Sequence, residues 1–147
     1  MSELRIYLIG SLANRGIVAL ANRLRDEGWD VFDDWISPGE EADEKWREYE
    51  QLRGRGYKEA LNGRHAHHIF EFDFKHLQEA DVVVMVLPCG RSGHLELGWA
   101  IGQGKPAYIL FDGEPERYDL MYALVDDVFF SEQSLFDALR TKRLSSF

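Results

Sequence analysis

The run Asp81-Val-Val-Val-Met-Val-Leu87, followed by Pro88 and then Cys89-Gly-Arg-Ser-Gly-His-Leu-Glu96-Leu-Gly98-Trp-Ala100, decides the fold. An unbroken Val-rich run without polar alternation predicts a strand covered on both faces, as in a parallel sheet. The small, Gly-containing segment after it predicts a turn into a helix over 93–102. Such a strand, turn and helix place their junction at the carboxyl edge of the sheet, where open α/β folds bind ligands. Glu96 falls in the first turns of that helix, beside backbone N–H groups that favour anions. It can serve there as a simple complement to the helix dipole, or as a reactive carboxylate.

Strand and helix patterns alternate on either side of this unit. Strands are predicted over 4–9, 29–32, 107–111 and 126–130. Residues 14–27 carry Ile17, Leu20, Ala21 and Leu24 at helical spacing, and Gly28 follows as a C-cap. A loop is expected over 33–39 and partial helix over 40–52. Gly54 and Gly56 then interrupt, one helix runs over 57–79 with Leu61, Ile69, Phe70 and Leu77, and a last helix covers 132–140. The expected fold class is α/β: a doubly wound, flavodoxin- or Rossmann-like three-layer sandwich with a parallel sheet of about five strands. It is expected to form one domain over residues 1–147.

Net charge is 17 − 26 = −9, and hydrophobic residues make up 45% of the chain. That content supports a packed core. The acidic balance argues against a nucleic acid polymer as partner, though a single nucleotide needs only a local positive spot. The single cysteine, Cys89, allows no intrachain disulfide. No run approaches the ~20 apolar residues of a membrane span, and the first apolar run is too short for a signal peptide. A cytoplasmic protein with no membrane partner is expected.

Three stretches resemble the nucleoside 2-deoxyribosyltransferase family, which includes relatives that hydrolyse nucleoside 5′-monophosphates. They are Tyr7-Leu-Ile-Gly10-Ser11, Phe70-Glu-Phe-Asp73-Phe-Lys-His-Leu77-Gln-Glu-Ala80-Asp81, and Ser92-Gly93-His-Leu-Glu96-Leu-Gly98-Trp-Ala100, with Gly104-Lys-Pro106 after them. The second resembles the family's D-x-x-x-L-x-x-A-D segment. Their order along the chain matches the family's.

The resemblance implies that Glu96 attacks C1′ of the sugar, that Asp73 protonates the departing base, and that Tyr7 orients Glu96. The physics agrees. Loss of a base from C1′ builds positive charge on the sugar ring, and a nearby carboxylate stabilises it. The proton donor needs burial to raise its pKa, and Phe70, Phe72 and Phe74 are candidates for that surround. Transferases of the family often carry an Asp six residues before the Glu, where Gly90 stands here. Arg91 and Ser92 at a helix N-terminus instead suit a phosphate. Gly10, Ser11 and Gly93 would line the same end, Asn14 and Arg15 would add to it, and Trp35, Arg64 and His68 are further candidate substrate contacts.

The expected function is cleavage of the N-glycosidic bond of a nucleoside or (deoxy)nucleoside 5′-monophosphate through a covalent glycosyl-Glu intermediate. The alternatives are base exchange by a deoxyribosyltransferase, a nucleotide-binding module without turnover, and a nicotinamide-dinucleotide glycohydrolase. No cofactor is implied. Gly10-Ser-Leu-Ala-Asn14 is not the G-x-G-x-x-G fingerprint. No metal is expected either: only His65 and His68 of the histidine cluster share a helix face, and no H-E-x-x-H is present. By resemblance a homodimer or larger homo-oligomer is expected. Asp81 reads as a structural cap, Cys89 as a spacer, and the acids over 40–50 as a solvated face. Trp46 reads as core or as a stacking partner for a base. The tail 142–147 reads as disordered or as completing a neighbour's site.

Overall fold

Even and odd residues of each strand separate cleanly onto two apolar layers in the computed structural model, which describes residues 4–145. The strands are β1 (Arg5–Ile9), β2 (Asp30–Phe32), β3 (Val82–Val86), β4 (Ala107–Leu110) and β5 (Asp127–Phe129). They form one parallel sheet of five in the order β2-β1-β3-β4-β5. Ile6 and Leu8 face α1 (Gly16–Asp26) and α6 (Glu132–Ser145), where Ile17, Leu24, Leu135 and Leu139 are buried. Tyr7 and Ile9 face α4 (Arg64–Glu79) and α5 (Arg91–Gly102), against Leu77, Leu97 and Ala100. This is the doubly wound arrangement expected from sequence. The strand order reverses between β1 and β3, and ligand crevices of such sheets open above that point.

Several expected boundaries change. The helix predicted over 57–79 is two: α3 (Tyr57–Leu61) and α4, broken at Asn62-Gly63. The Asn62 amide donates back to the Lys58 carbonyl, which closes α3 early. Of the apolar residues assigned to that helix, only Leu77 is buried. Ile69 and Phe70 are exposed, and the buried residue of α4 is Leu77, near its C-terminal end. The loop over 33–39 contains a 3-10 turn at Asp34–Ile36. α5 starts at Arg91, two residues earlier than expected.

The acidic stretch is not wholly solvated. Glu50, in α2 (Ala42–Leu52), is buried and held by Arg55 at 2.7 Å and 3.1 Å. The tail is also corrected. Helix α6 continues to Ser145, and the Arg143 guanidinium lies 4.2 Å from the Trp29 ring centroid. That cation–π contact extends the helix beyond its apolar stripe. Ser146 and Phe147 lie outside the described residues. Asp81 does cap structure: its carboxylate accepts from the Arg5 backbone N–H at 2.8 Å, tying the start of β3 to β1. Among the described residues, no helix is long and apolar enough to cross a membrane.

Candidate active site

Period-two alternation turns Tyr7 towards α4 and α5, and the α5 stripe Gly93, Leu97, Ala100 turns Glu96 towards the sheet. The two side chains therefore meet above β1. The Tyr7 hydroxyl donates to Glu96 Oε2. Burial and the neighbouring carboxylate push the Tyr7 phenol far above its ordinary pKa, so it holds its proton and acts only as a donor. Among the described residues, the Tyr7 hydroxyl engages Oε2 and no hydrogen bond engages Oε1.

Asp73 approaches from α4 and is coupled electrostatically to both. Burial raises the Glu96 carboxyl to about 7; the Tyr7 hydrogen bond opposes this and the charge of Asp73 adds to it. Burial raises Asp73 to about 6, with His76 opposing and Asp34 adding. The charge of Asp73 acts on Glu96, and burial holds both carboxyls above the ordinary carboxylate range.

The apolar surround of Asp73 differs from expectation. Phe70 is 63% exposed and stacks on Phe74, 5.3 Å between centroids. Phe74 in turn meets Trp99 edge-on. Phe72 packs on Phe32 and His76. The ring behind the site is thus Phe32, which stacks on Tyr7 at 5.1 Å and on His76 at 4.1 Å. Sequence reasoning missed Phe32 and His76. The spacing Asp73 to His76, one helical turn, was the available signal.

The candidates at the sugar or phosphate end divide. Arg91 and Ser92 are exposed in the first turn of α5, whose N-cap Gly90 provides no side-chain cap. The first helical bond is from the His94 N–H to the Gly90 carbonyl, so the N–H groups before it have no helical partners. Ser11 and Asn14 are engaged locally: the Ser11 hydroxyl accepts from the Ala13 N–H, and the Asn14 amide oxygen from the Gly16 N–H. Arg15 is exposed, with Glu40 at 3.7 Å. Trp35 donates to the Leu8 carbonyl at 2.7 Å and lies over Gly10, which fixes it as a wall of the β1 loop. Arg64 and His68 sit on the exposed first half of α4. Trp46 is half-buried between Tyr57 and His65. Cys89 is half-buried, and burial pushes its thiol up to about 11, which suits a spacer. Among the described residues, no three His, Cys, Asp or Glu side chains gather as a metal ion needs.

Gly93 sets how closely α5 approaches β1. A Cβ there would overlap the Cys89 Sγ and lie 2.8 Å from Ile9 Cγ2. Ile9 is fully buried, so it has nowhere to move. Gly93→Ala is expected to cost about 1–3 kcal/mol through overpacking, read as a lower denaturant midpoint. An unchanged midpoint would show that the helix has slack.

No family model and no curated protein matches the chain. Solved structures do. A 2-deoxyribosyltransferase from Bacillus psychrosaccharolyticus superposes with a TM-score of 0.58 at 21% identity, covering 89% of this chain and 89% of its own. The CMP N-glycosidase BcmB of Clostridium botulinum superposes with a TM-score of 0.52 at 19% identity, covering 92% of this chain and 98% of its own. The fold is therefore one that a deoxyribosyltransferase and a nucleotide N-glycosidase share, in keeping with the resemblance drawn from the three sequence stretches.

Proposed function

We propose that this protein is an enzyme that cleaves the N-glycosidic bond of a nucleoside 5′-monophosphate and releases the free base. The observation that carries this reading is the Tyr7–Glu96 hydrogen bond beside Asp73, at the strand-order reversal. Glu96 Oε1 attacks C1′ as the C1′–N bond breaks, and Asp73 delivers its proton to the departing base nitrogen. The sugar is then held as an ester on Glu96. Water, deprotonated by the Asp73 carboxylate, attacks C1′ and frees Glu96. Tyr7 holds Glu96 in line and keeps Oε2 occupied. Both neighbours in fold act on N-glycosides by their names, which supports the reaction class.

The 5′-phosphate is assigned to the open N-terminus of α5, with Arg91 and the Ser92 hydroxyl. Gly90 offers no carboxylate that would repel it. Ser11 and Asn14 shape the β1 loop through their oxygens, and the Ser11 O–H and the Asn14 NH2 group remain donors for the same end. A homodimer is also part of this reading. Phe70 and Leu95 leave large apolar surface open on α4 and α5.

Base release from nucleosides and their 5′-monophosphates, followed by chromatography with and without an added acceptor base, tests the function. Monophosphates should lose their base without an acceptor. A new nucleoside formed only with acceptor would make the protein a transferase, the reading that the 2-deoxyribosyltransferase fold also supports. Binding without any product would make it a nucleotide-binding module.

A further inference from the structure

One face of α4 loses its cover within two turns. Phe70, Asp73, Phe74 and Leu77 stand at i, i+3, i+4 and i+7, the spacing of a single helical stripe. Leu77 is buried in one cluster with Tyr7 and Leu97, and Phe74 packs half-buried against the same cluster. Phe70 heads the stripe and is exposed. The cover thus ends between Phe74 and Phe70, one turn from Asp73. Phe72 turns to another side of the helix, onto Phe32 and His76, and is not part of this stripe.

The exposed ring is nevertheless held. It lies on Phe74, 5.3 Å between centroids and 17° between planes, and Phe74 meets Trp99 of α5 edge-on at 4.9 Å. This short column of rings joins α4 to α5, the two helices that carry Asp73 and Glu96. One face of Phe70 is covered by Phe74, and among the described residues no second ring lies against the other. A fixed aromatic ring with one open face is a surface on which a flat heteroaromatic ring stacks, because both faces are apolar and the platform has little freedom left to lose.

We propose that Phe70 is the platform for the nucleobase: the base of the substrate stacks on its open face while Asp73, one turn on, reaches the departing base nitrogen. This rests on Asp73 being the acid of the proposed reaction, and it names the residue that holds the group Asp73 protonates. Residues three apart on a helix have Cβ atoms about 5–6 Å apart. A base within hydrogen-bond reach of the Asp73 carboxyl therefore comes within reach of the Phe70 ring. The contact is made with the face of the base and not its edge, so it adds affinity for any base and leaves discrimination among bases to other groups. The sugar, set against Glu96, and its phosphate take no part in this contact.

The test is binding without turnover. The Glu96→Gln protein is titrated by calorimetry with ribo- and deoxyribonucleoside 5′-monophosphates and with ribose 5-phosphate, which lacks the base. Phe70→Leu in that protein keeps an apolar side chain and removes the ring, and thermal unfolding checks that it folds. It should weaken the monophosphates by about tenfold, the scale of one base stacked on one ring, and leave ribose 5-phosphate unchanged. Phe70→Trp should restore the monophosphates. An equal loss for both kinds of ligand, or no loss for the monophosphates, would overturn the proposal. Sedimentation of the same variants tests the rival occupant: a dimer that dissociates in Phe70→Leu while nucleotide affinity holds gives the ring to a second copy of this chain and overturns the proposal too. A Glu96→Gln protein that binds none of the monophosphates removes the platform and the nucleotide reading together. Monophosphates that bind but lose no base in the chromatographic assay remove the reaction alone, and the Phe70 comparison still decides whether the ring holds the base.

Discussion

Glu96→Gln is expected to abolish base release, with kcat lower by about 10⁴-fold, on the order of 5 kcal/mol of lost transition-state stabilisation. Gln matches Glu in shape, and its amide oxygen still accepts from the Tyr7 hydroxyl. What disappears is the negative charge and the electron pair that bond to C1′. The fold should not suffer. Burial raises the Glu96 carboxyl to about 7, above its unfolded value. Ionising it in the folded protein therefore opposes stability, increasingly as pH rises from the unfolded pKa through about 7. The Gln variant lacks that cost, so at pH 8 it should unfold at a temperature equal to or above that of the parent. A variant that keeps more than about a tenth of the parental rate, a loss far below what covalent catalysis supplies, would remove Glu96 from the mechanism.

Asp73→Asn is expected to slow base release by about 10²–10⁴-fold, the range of general acid catalysis. The loss should depend on the leaving group. A 4-nitrophenyl riboside departs without needing a proton, so the variant should cleave it at nearly the parental rate, whereas Glu96→Gln should fail on both substrates. The pH profile carries the same information. On the proposed mechanism the reactive state has one proton on the Glu96–Asp73 pair. Below about 6 both carboxyls are protonated and Glu96 cannot attack; above about 7 neither is, and the donor is gone. The parental kcat/KM should be a narrow bell between those values, and Asp73→Asn should lose the alkaline limb. A parental profile flat to pH 9 would contradict a pair that shares one proton.

In the ligand-free protein the higher value falls on Glu96, the proposed nucleophile, and the lower on Asp73, the proposed donor. On the proposed mechanism, substrate would reverse this order. Positive charge growing on the sugar ring favours the Glu96 carboxylate, and a bound base shields Asp73 from water and so favours its proton.

Much of this site is legible in one dimension. The Val-rich run at 82–86 requires cover on both faces, and the Gly-containing turn after it places Glu96 at the carboxyl edge. The stripe Gly93, Leu97, Ala100 turns Glu96 inward. Asp73 was reachable through its motif. Phe70 was misjudged because helical spacing marks which residues share a face. It does not mark how much of that face the rest of the chain covers. Glu50 was misjudged for a related reason: its partner Arg55 lies beyond the end of α2, across a reversal at Gly54 that periodicity does not reveal.

The sequence by itself determined the alternation of strands and helices, the parallel sheet, and the placement of Glu96 near a strand's carboxyl end. Those follow from local patterns: unbroken apolar runs, helical spacing and the residues that end them. Only the tertiary structure decided which face of β1 meets α5, and so that the Tyr7 hydroxyl reaches Glu96 rather than a core neighbour. Only it brought Phe32, from a strand two dozen residues away, between Tyr7 and His76. Those contacts depend on strand order and crossover handedness, which bring distant segments to one crevice. No local periodicity records that choice, because each strand's alternation is satisfied equally well with either face towards either helix layer.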